Sequence, residues 1–263
     1  MKIGLIGEGA IGRYVRDGVI ERGHEVRAIL VRAERLQRRA NQGGSTLYVA
    51  TVRDLPDDID HMVDCAGHQA LRSYGPDILR AGTDLTTVSI GALADPDLYR
   101  SLEQAAAEGD SRLRLASGAI GALDCLRAAS AGALRSVTYI GRKPPAGWKG
   151  SPAETQLDLD DLRDEAAVHF DGPARVAAVE YPRNANVAAA VALAGLGFDD
   201  TRVRLIADPN VDENIHEVQA DGDFGRFSFE IRGRSLPDNP RSSALAAMSV
   251  LSALEQQTQR IRF

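Results

Sequence analysis

The first 117 residues alternate between short apolar runs and longer stretches with helical periodicity. The apolar runs lie at residues 2–6, 25–31, 61–66, 84–89 and 112–117, and their length and composition predict buried strands. The stretches between them predict helices, for example over residues 69–80 and from a cap at Asp95 or Asp97 to Glu108. Strands that alternate with helices are typical of an α/β fold whose parallel sheet is covered on both faces.

The pattern changes after residue 118, where β-like segments follow one another more closely. Strands are predicted at residues 135–141, 202–207, 214–219 and 226–233, a loop at 142–150, and a buried helix at 186–196. This pattern predicts an α+β domain with a mostly antiparallel sheet. We therefore assign residues 1–118 to the first domain and 119–241 to the second. We expect the last helix, within residues 242–263, to pack back on the first domain.

A glycine-rich turn, Gly-Glu-Gly-Ala-Ile-Gly at residues 7–12, joins the first strand to the first helix. Gly7 permits a tight turn, Gly9 removes a side chain where a pyrophosphate approaches the backbone, and Gly12 lets the helix pack closely on the strand. The helix N-terminus then offers N–H groups and a partial positive charge to phosphates. In this context the motif predicts a Rossmann-type, doubly wound domain that binds a dinucleotide; the alternative is a purely structural glycine turn.

The carboxyl ends of the predicted parallel strands form one edge of the sheet, where ligands of such folds bind. The segments at residues 66–68, 89–91 and 117–119 follow strand ends and therefore lie along this edge. His68 is a candidate for lining the pocket there. The residues of this domain expected to contact the dinucleotide through the glycine turn and this edge are Gly7, Gly9, Ala10, Ile11, Gly12, Ala66 and Gly67.

The end of the second strand bears on the choice between NAD and NADP. NAD sites usually carry an Asp or Glu there, which accepts hydrogen bonds from the ribose hydroxyls. Here the corresponding residue is Arg32, which is suited to a 2′-phosphate. A shift of two residues would bring Glu34 to the ribose instead, and a solvated Arg32 is the remaining alternative. We therefore expect both cofactors to be used, with Arg32 as a cofactor contact.

Composition narrows the possible partners. The 263 residues carry a formal net charge of −6 without a basic block, which makes nucleic acid an unexpected partner. There is neither an apolar run long enough to cross a membrane nor a signal peptide before the first strand. Two cysteines are too few for a disulfide framework, and the five histidines are too scattered for a metal site. We expect a cytoplasmic protein without a metal.

Several segments, spread over nearly the whole chain, resemble the L-aspartate dehydrogenase family. The most specific are Ser-Gly-Ala-Ile-Gly at residues 117–121 and Asn-Ile-His-Glu at residues 214–217. Others are Val-Asp-Cys-Ala-Gly-His at 63–68, Gly-Arg-Lys-Pro-Pro at 141–145 and Tyr-Pro-Arg-Asn-Ala-Asn-Val at 181–187. The chain departs from the family pattern at Tyr181, where phenylalanine is more usual.

The resemblance implies an enzyme that uses NAD or NADP to oxidise L-aspartate to iminoaspartate, which yields oxaloacetate and ammonia or feeds NAD biosynthesis. It implies a catalytic histidine at His216 and cofactor contacts at Ala119 and Asn186. It also points to substrate contacts at Lys143 and at Asn184. Because members of the family are typically homodimers or larger assemblies, a homodimer is expected.

The position of His216 also makes it a candidate on chemical grounds. It is predicted in mid-strand on the same face as Asn214 and Val218. A histidine whose pKa lies near neutrality can take a proton from the water that hydrolyses an imine. A structural, hydrogen-bonded histidine is the alternative. By contrast, His169 is expected merely at the end of a helix.

A substrate with two carboxylates needs cations or N–H donors. Arg142, Lys143 and Lys149 flank a Pro-Pro-containing loop that carries Trp148, and Lys143 is the preferred candidate. Arg183 and Arg241 are further candidates, and a solvated surface charge is the alternative for each. Two other functions share the predicted cofactor features: an oxidoreductase for another small amino acid or dicarboxylate, and a non-catalytic regulator that senses a dinucleotide.

Overall fold

The computed structural model describes residues 1–39, 46–182, 185–237 and 239–261. The chain divides into two compact units. The first unit comprises Met1–Ala116 and Ala246–Phe263, and the second unit comprises Ser117–Leu245. Each unit contains one large sheet.

The first unit is built on a six-stranded parallel sheet with the strand order β3-β2-β1-β4-β5-β6. This arrangement confirms the predicted Rossmann-type sheet. Two 3₁₀ turns, Val52–Asp54 and Ile90–Ala94, interrupt the connections. The elements are β1 (Lys2–Ile6), α1 (Ala10–Glu21), β2 (Glu25–Leu30), α2 (Ala33–Arg39), β3 (Leu47–Val49), β4 (His61–Asp64), α3 (His68–Arg80), β5 (Leu85–Thr87), α4 (Pro96–Glu108) and β6 (Leu113–Leu115).

The second unit contains a five-stranded sheet with the order β11-β10-β7-β9-β8, in which only the β7–β9 pairing is parallel. This confirms the mostly antiparallel sheet. Helix α7 packs on β7 and contacts the neighbouring helices α5, α6 and α8. The elements are α5 (Leu123–Ala129), β7 (Leu134–Lys143), β8 (Ala167–Pro173), α6 (Ala174–Glu180), α7 (Ala185–Ala194), α8 (Gly197–Asp200), β9 (Arg202–Ala207), β10 (Asn214–Gly222), β11 (Gly225–Gly233), β12 (Ser235–Leu236) and β13 (Asn239–Ser243).

The last helix, α9 (Ala244–Thr258), contributes to the core of the first unit. Its buried Val250 and Leu251 belong to one hydrophobic cluster with Val15 of α1 and Ile3 of β1. A Cβ added to Gly18 would lie only 2.5 Å from the Cδ1 atom of Leu251, so any larger residue would force the Leu251 side chain to shift. Burial of this apolar surface is the main force that holds α9 in place.

Three local predictions were wrong. Arg142 and Lys143 were expected in a loop but belong to β7, and the segment Pro145–Trp148 forms a 3₁₀ turn. His169 was expected at a helix end but lies in β8. The β10–β11 hairpin turn was predicted at residues 221–223 but lies at residues 223–224, since Gly222 pairs with Gly225.

Candidate functional site

A cavity of about 470 Å³ in the first unit lies at the carboxyl ends of β1, β2 and β4. Its lining includes four of the predicted cofactor residues: Gly7, Gly9, Arg32 and Ala66. Other predicted residues adjoin it along the chain, since Ala10, Ile11 and Gly12 form the first turn of α1 and Gly67 directly precedes α3. The glycine turn and the edge of the sheet therefore meet at one cavity.

The glycines of this turn leave room that side chains would take away. Gly7 has a φ of +85°, and a Cβ there would lie 2.7 Å from the Cβ of Ala66. A Cβ on Gly12 would lie 2.5 Å from the carbonyl oxygen of Gly7. At Gly9 a Cβ would meet nothing within 4 Å, so the backbone there borders open space. These features fit a dinucleotide whose pyrophosphate approaches bare backbone at a helix N-terminus.

The charges around this cavity bear on its preference among dinucleotides. Arg32 and Arg35 line it, whereas Glu34 is not among the lining residues. The sole carboxylate among the described lining residues is that of Glu8, which is buried. Its Oε1 atom accepts hydrogen bonds from the Arg16 guanidinium at 3.0 Å and from the Tyr48 hydroxyl at 2.9 Å. The exposed charges at this end of the cavity are therefore positive.

Asp64, a buried carboxylate that was not among the predicted site residues, organises one edge of the cavity. Its Oδ1 atom accepts a hydrogen bond from the Ala66 N–H at 2.9 Å, and its Oδ2 atom accepts from the hydroxyls of Thr87 at 2.7 Å and Ser89 at 2.5 Å. Burial raises the pKa of Asp64, against the opposing effect of these donors. Asp64 thus ties the ends of β4 and β5 together and fixes the turn that contains Ala66.

In the second unit, His216 lies buried on β10, opposite Gly141 of β7. Its Nδ1 atom is 2.7 Å from the hydroxyl oxygen of Tyr139. Tyr139 and Gly141 are two residues apart on one strand, so they share a face. A Cβ on Gly141 would lie 2.8 Å from the Tyr139 hydroxyl oxygen. Glycine at this position therefore leaves the space in which Tyr139 reaches His216.

A second pair of histidine and tyrosine lies on the other side of β7. The Nδ1 atom of His169 is 3.1 Å from the Tyr181 hydroxyl oxygen, the group by which Tyr181 departs from the family pattern. The His169 ring packs edge-on against Trp148, with ring centroids 4.3 Å apart. The Nζ atom of Lys143 lies over the same indole, 4.8 Å from its centroid. The Trp148 N–H donates to the Ile206 carbonyl at 3.0 Å, which fixes the indole.

Burial shifts the pKa values of His216, His169 and Lys143 away from their usual ranges. Burial, together with the positive charge of Lys143, lowers the pKa of His216 to about 4 and that of His169 to about 4. Burial also lowers the pKa of Lys143 to about 8. Both histidines are therefore neutral at pH 7, and the pKa of His216 lies below the near-neutral range expected from the sequence.

The other candidate cations differ from Lys143. Arg142 forms a salt bridge with buried Asp208, and Lys149 forms one with Asp160 at the exposed surface. Arg183 lies outside the described residues, and the side chain of Arg241 is not described. Among the cations whose side chains the structure describes, Lys143 is the one that lies with the two histidines.

The remaining predicted residues are distributed over both units. Ala119 is buried in the second unit, and Asn186 is half-buried in the first turn of α7. His68 begins α3 in the first unit and is not among the residues that line the cavity. Asn184 lies outside the described residues.

Comparisons with known proteins bear on both units. Residues 3–116 match the family described as "Homoserine dehydrogenase, NAD binding domain", and residues 124–257 match "Aspartate dehydrogenase, C-terminal". An L-aspartate dehydrogenase of Ruegeria pomeroyi is 52% identical over 262 residues, which cover 100% of this chain and 94% of the relative. The chain belongs to the L-aspartate dehydrogenase family.

Other members of the family agree with this assignment. An L-aspartate dehydrogenase of Ralstonia nicotianae is 54% identical over 74% of this chain and 72% of the relative. The crystal structure of aspartate dehydrogenase from Thermotoga maritima superposes with a TM-score of 0.78 at 27% identity, covering 100% of this chain and 99% of that chain. Within the part of the chain that the structure describes, no helix is both long and apolar enough to span a membrane.

Proposed function

We propose that this chain is an NAD(P)-dependent L-aspartate dehydrogenase, which oxidises L-aspartate at C2 to iminoaspartate. Water then adds to C2 and ammonia leaves, which gives oxaloacetate. The observation that carries the proposal is the cluster of neutral His216, its Tyr139 partner and the cation Lys143, in a chain of this family. A regulator that only senses a dinucleotide has no need of such a cluster.

The first unit supplies the cofactor residues in this proposal. Gly9 and the first turn of α1 would hold the pyrophosphate, because the backbone of Gly9 borders open space and a helix N-terminus offers N–H groups to phosphates. Gly7, whose N–H donates to the Leu30 carbonyl at 2.9 Å, would form the tight turn beside them. When bound, the dinucleotide supplies the two-electron acceptor for the oxidation. Arg32 would meet a 2′-phosphate, so NADP is accepted as well as NAD. Ala119 and Asn186 are proposed as further contacts on the strength of the family resemblance.

Lys143 would bind a carboxylate of the substrate. Its ammonium group is partly removed from water on the Trp148 ring, where its attraction for an anion is stronger than in bulk solvent. Because its pKa is about 8, most of the lysine is charged at pH 7. Asn184 and His68 remain proposals as substrate contacts that rest on the sequence alone.

His216 would handle the proton of the hydrolytic water. In the tautomer whose Nδ1–H donates to Tyr139, the Nε2 atom carries a lone pair that can accept this proton. The pKa of about 4 keeps that lone pair available at neutral pH. The negative charges of a bound dicarboxylate would raise the pKa again and make the histidine a better base.

The cellular setting is also proposed from the resemblance. We propose that the protein is a cytoplasmic homodimer and that its product feeds NAD biosynthesis. Light scattering of the purified protein would test the dimer, and a monomer at micromolar concentration would contradict it.

A cofactor-reduction assay tests the function. L- and D-amino acids and small dicarboxylates are offered with NAD and with NADP between pH 7 and 10, and reduced cofactor is followed by absorbance. We expect turnover with L-aspartate, faster towards alkaline pH because the neutral amine is the reacting form. If protein that binds NAD(P) reduces it with another amino acid and not with L-aspartate, the substrate assignment is wrong. If no substrate gives reduction, the chain is a regulator.

A further inference from the structure

The backbone places His169 in an irregular position of β8. Val168 pairs with Ile206 of β9 and the next paired residue, Phe170, pairs with the adjacent Leu205. His169 is therefore the extra residue of a β-bulge. Bulges turn a side chain away from the regular alternation of a strand and are frequent beside active sites. Here the bulge buries an imidazole, whereas the preceding Val168 is exposed.

One nitrogen of the buried imidazole lacks a partner. Tyr181 bonds the Nδ1 atom, but the buried Nε2 atom of His169 makes no hydrogen bond to any residue that the structure describes. Buried polar atoms nearly always have a partner, so each exception calls for an explanation. A ligand that accepts a hydrogen bond from Nε2 would be one.

A cation, Lys143, shares the Trp148 ring with His169. His169 and Lys143 both contact the Trp148 ring, and the charge of Lys143 contributes to the low pKa of His169. In the sheet, Lys143 pairs with Ala207 of β9, which pairs in turn with Ala167 of β8. Lys143 and Ala167, which lies two residues before His169, therefore stand in one row across three adjacent strands.

We propose that Lys143 and His169 together form the subsite for the side-chain carboxylate of a dicarboxylate substrate. The ammonium group pairs with one oxygen, and the Nε2–H of His169 donates to the other, in the tautomer in which the Tyr181 hydroxyl donates to Nδ1. The flexible stem of Lys143 lets its ammonium group move aside and admit the carboxylate next to His169. The choice of aspartate as substrate rests on the proposed function, whereas the subsite requires only a dicarboxylate.

The order of the strands gives the subsite its orientation. His216 lies on β10, on one side of β7, whereas His169 lies on β8, beyond β9 on the other side. A substrate carboxylate held by Lys143 and His169 therefore leaves the opposite end of the substrate towards His216. His169 thus selects a second carboxylate, and the reaction takes place at the carbon that lies nearer His216.

Succinate, a dicarboxylate without the reacting amine, is the probe for this subsite. Its binding to the NAD-saturated protein is measured by calorimetry for the wild type, His169→Phe and His169→Gln, and L-aspartate kinetics are measured in parallel. We expect His169→Phe to raise both the Kd of succinate and the KM of L-aspartate about 10- to 100-fold, as expected for one lost hydrogen bond to a charged group. The kcat at saturation should stay within about threefold, because uniform binding is lost.

The conservative variant separates binding from a structural role. Glutamine keeps an N–H donor near the Nε2 position, so His169→Gln should bind succinate within about fivefold of the wild type. His61→Phe is the matched control, because His61 is also buried, bonds a hydroxyl (Thr86, 2.8 Å), has a pKa of about 4 and has one unpartnered nitrogen. It should leave succinate binding unchanged.

Three results would decide whether His169 contacts the substrate carboxylate. If His169→Phe binds succinate as the wild type does, or if the Gln and Phe variants lose binding equally, His169 does not contact the carboxylate and the inference is wrong. These results leave aspartate oxidation by the wild type untouched. If succinate binding depends on His169 but the wild type does not oxidise L-aspartate, the subsite stands and the proposed reaction falls.

Discussion

Replacement of Lys143 by methionine is expected to stabilise the folded chain while it removes substrate binding. The ammonium group of Lys143 is held in a partly desolvated position, which disfavours its charged form. Methionine has a similar length and packs well against an aromatic ring such as that of Trp148, but it carries no charge. The substitution therefore removes an electrostatic cost of folding and keeps most of the packing.

The pKa of Lys143 gives the size of this effect. It falls from 10.5 to about 8 on folding, and each pKa unit corresponds to about 1.4 kcal/mol. The charged form is thus less stable in the folded chain by about 3 kcal/mol at most. Because Lys143 is only half-buried, solvent reduces this cost, and we expect Lys143→Met to raise the free energy of unfolding by about 1–3 kcal/mol at pH 7.

The effect of pH distinguishes this mechanism from improved packing. Below pH 8 the lysine is charged in both the folded and the unfolded chain, so folding carries the whole cost. Between about pH 8 and 10.5 the folded lysine loses its proton while the unfolded one keeps it, so this contribution makes the wild type more stable as pH rises. The advantage of the variant should therefore shrink over this range and vanish near its upper end.

Urea unfolding of the wild type and Lys143→Met at pH 7 and pH 10, followed by circular dichroism, measures both quantities. Lys149→Met is the matched control, because Lys149 is exposed and its salt bridge with Asp160 raises its pKa, so its replacement should give no gain. A Lys143→Met variant that is less stable than the wild type at pH 7, or whose advantage is equally large at pH 10, would show that desolvation of the Lys143 charge does not cost stability.

Three further substitutions test the proposed site. His216→Ala should lower kcat about 10²- to 10⁴-fold with unchanged NADH affinity by fluorescence titration; near wild-type kcat would make His216 structural. Gly141→Ala puts a Cβ 2.8 Å from the Tyr139 hydroxyl oxygen and should lower kcat at least about tenfold by displacing Tyr139 from His216; an unchanged kcat would contradict this. Arg32→Asp should raise the KM of NADP far more than that of NAD, and a wild type that ignores NADP would show that Arg32 does not meet the phosphate.

The parallel sheet could be predicted because its signals are local. Five of the six strands of the first unit fall within the apolar runs predicted from the sequence, whereas the three-residue β3 was not predicted. The glycine turn after β1 has a fixed spacing set by the phosphate that it accommodates. The contact between Tyr139 and His216 also has a signal in the sequence. Tyr139 and Gly141 alternate on one predicted strand, and a glycine two residues from a tyrosine indicates room for its ring.

The His169 subsite could not be predicted in the same way. A bulge inserts one residue, so the alternation of inward and outward side chains along β8 is broken where the functional side chain lies. The role of Asp64 was hidden for another reason. Its partners, Thr87 and Ser89, lie at the end of a different strand, and the sequence does not reveal which strand ends meet until the order of the sheet is known.

The position of α9 has a consequence for how the chain is made. The core of the first unit includes Val250, Leu251 and Leu254, which are synthesised after the whole of the second unit. The second unit ends at Leu245, before most of that helix has been synthesised. The first unit therefore cannot complete its core until the second unit has been made, and the apolar groove that α9 fills stays exposed until then. A chain cut short before α9 would keep that groove permanently, and chaperones and proteases would treat it as unfinished.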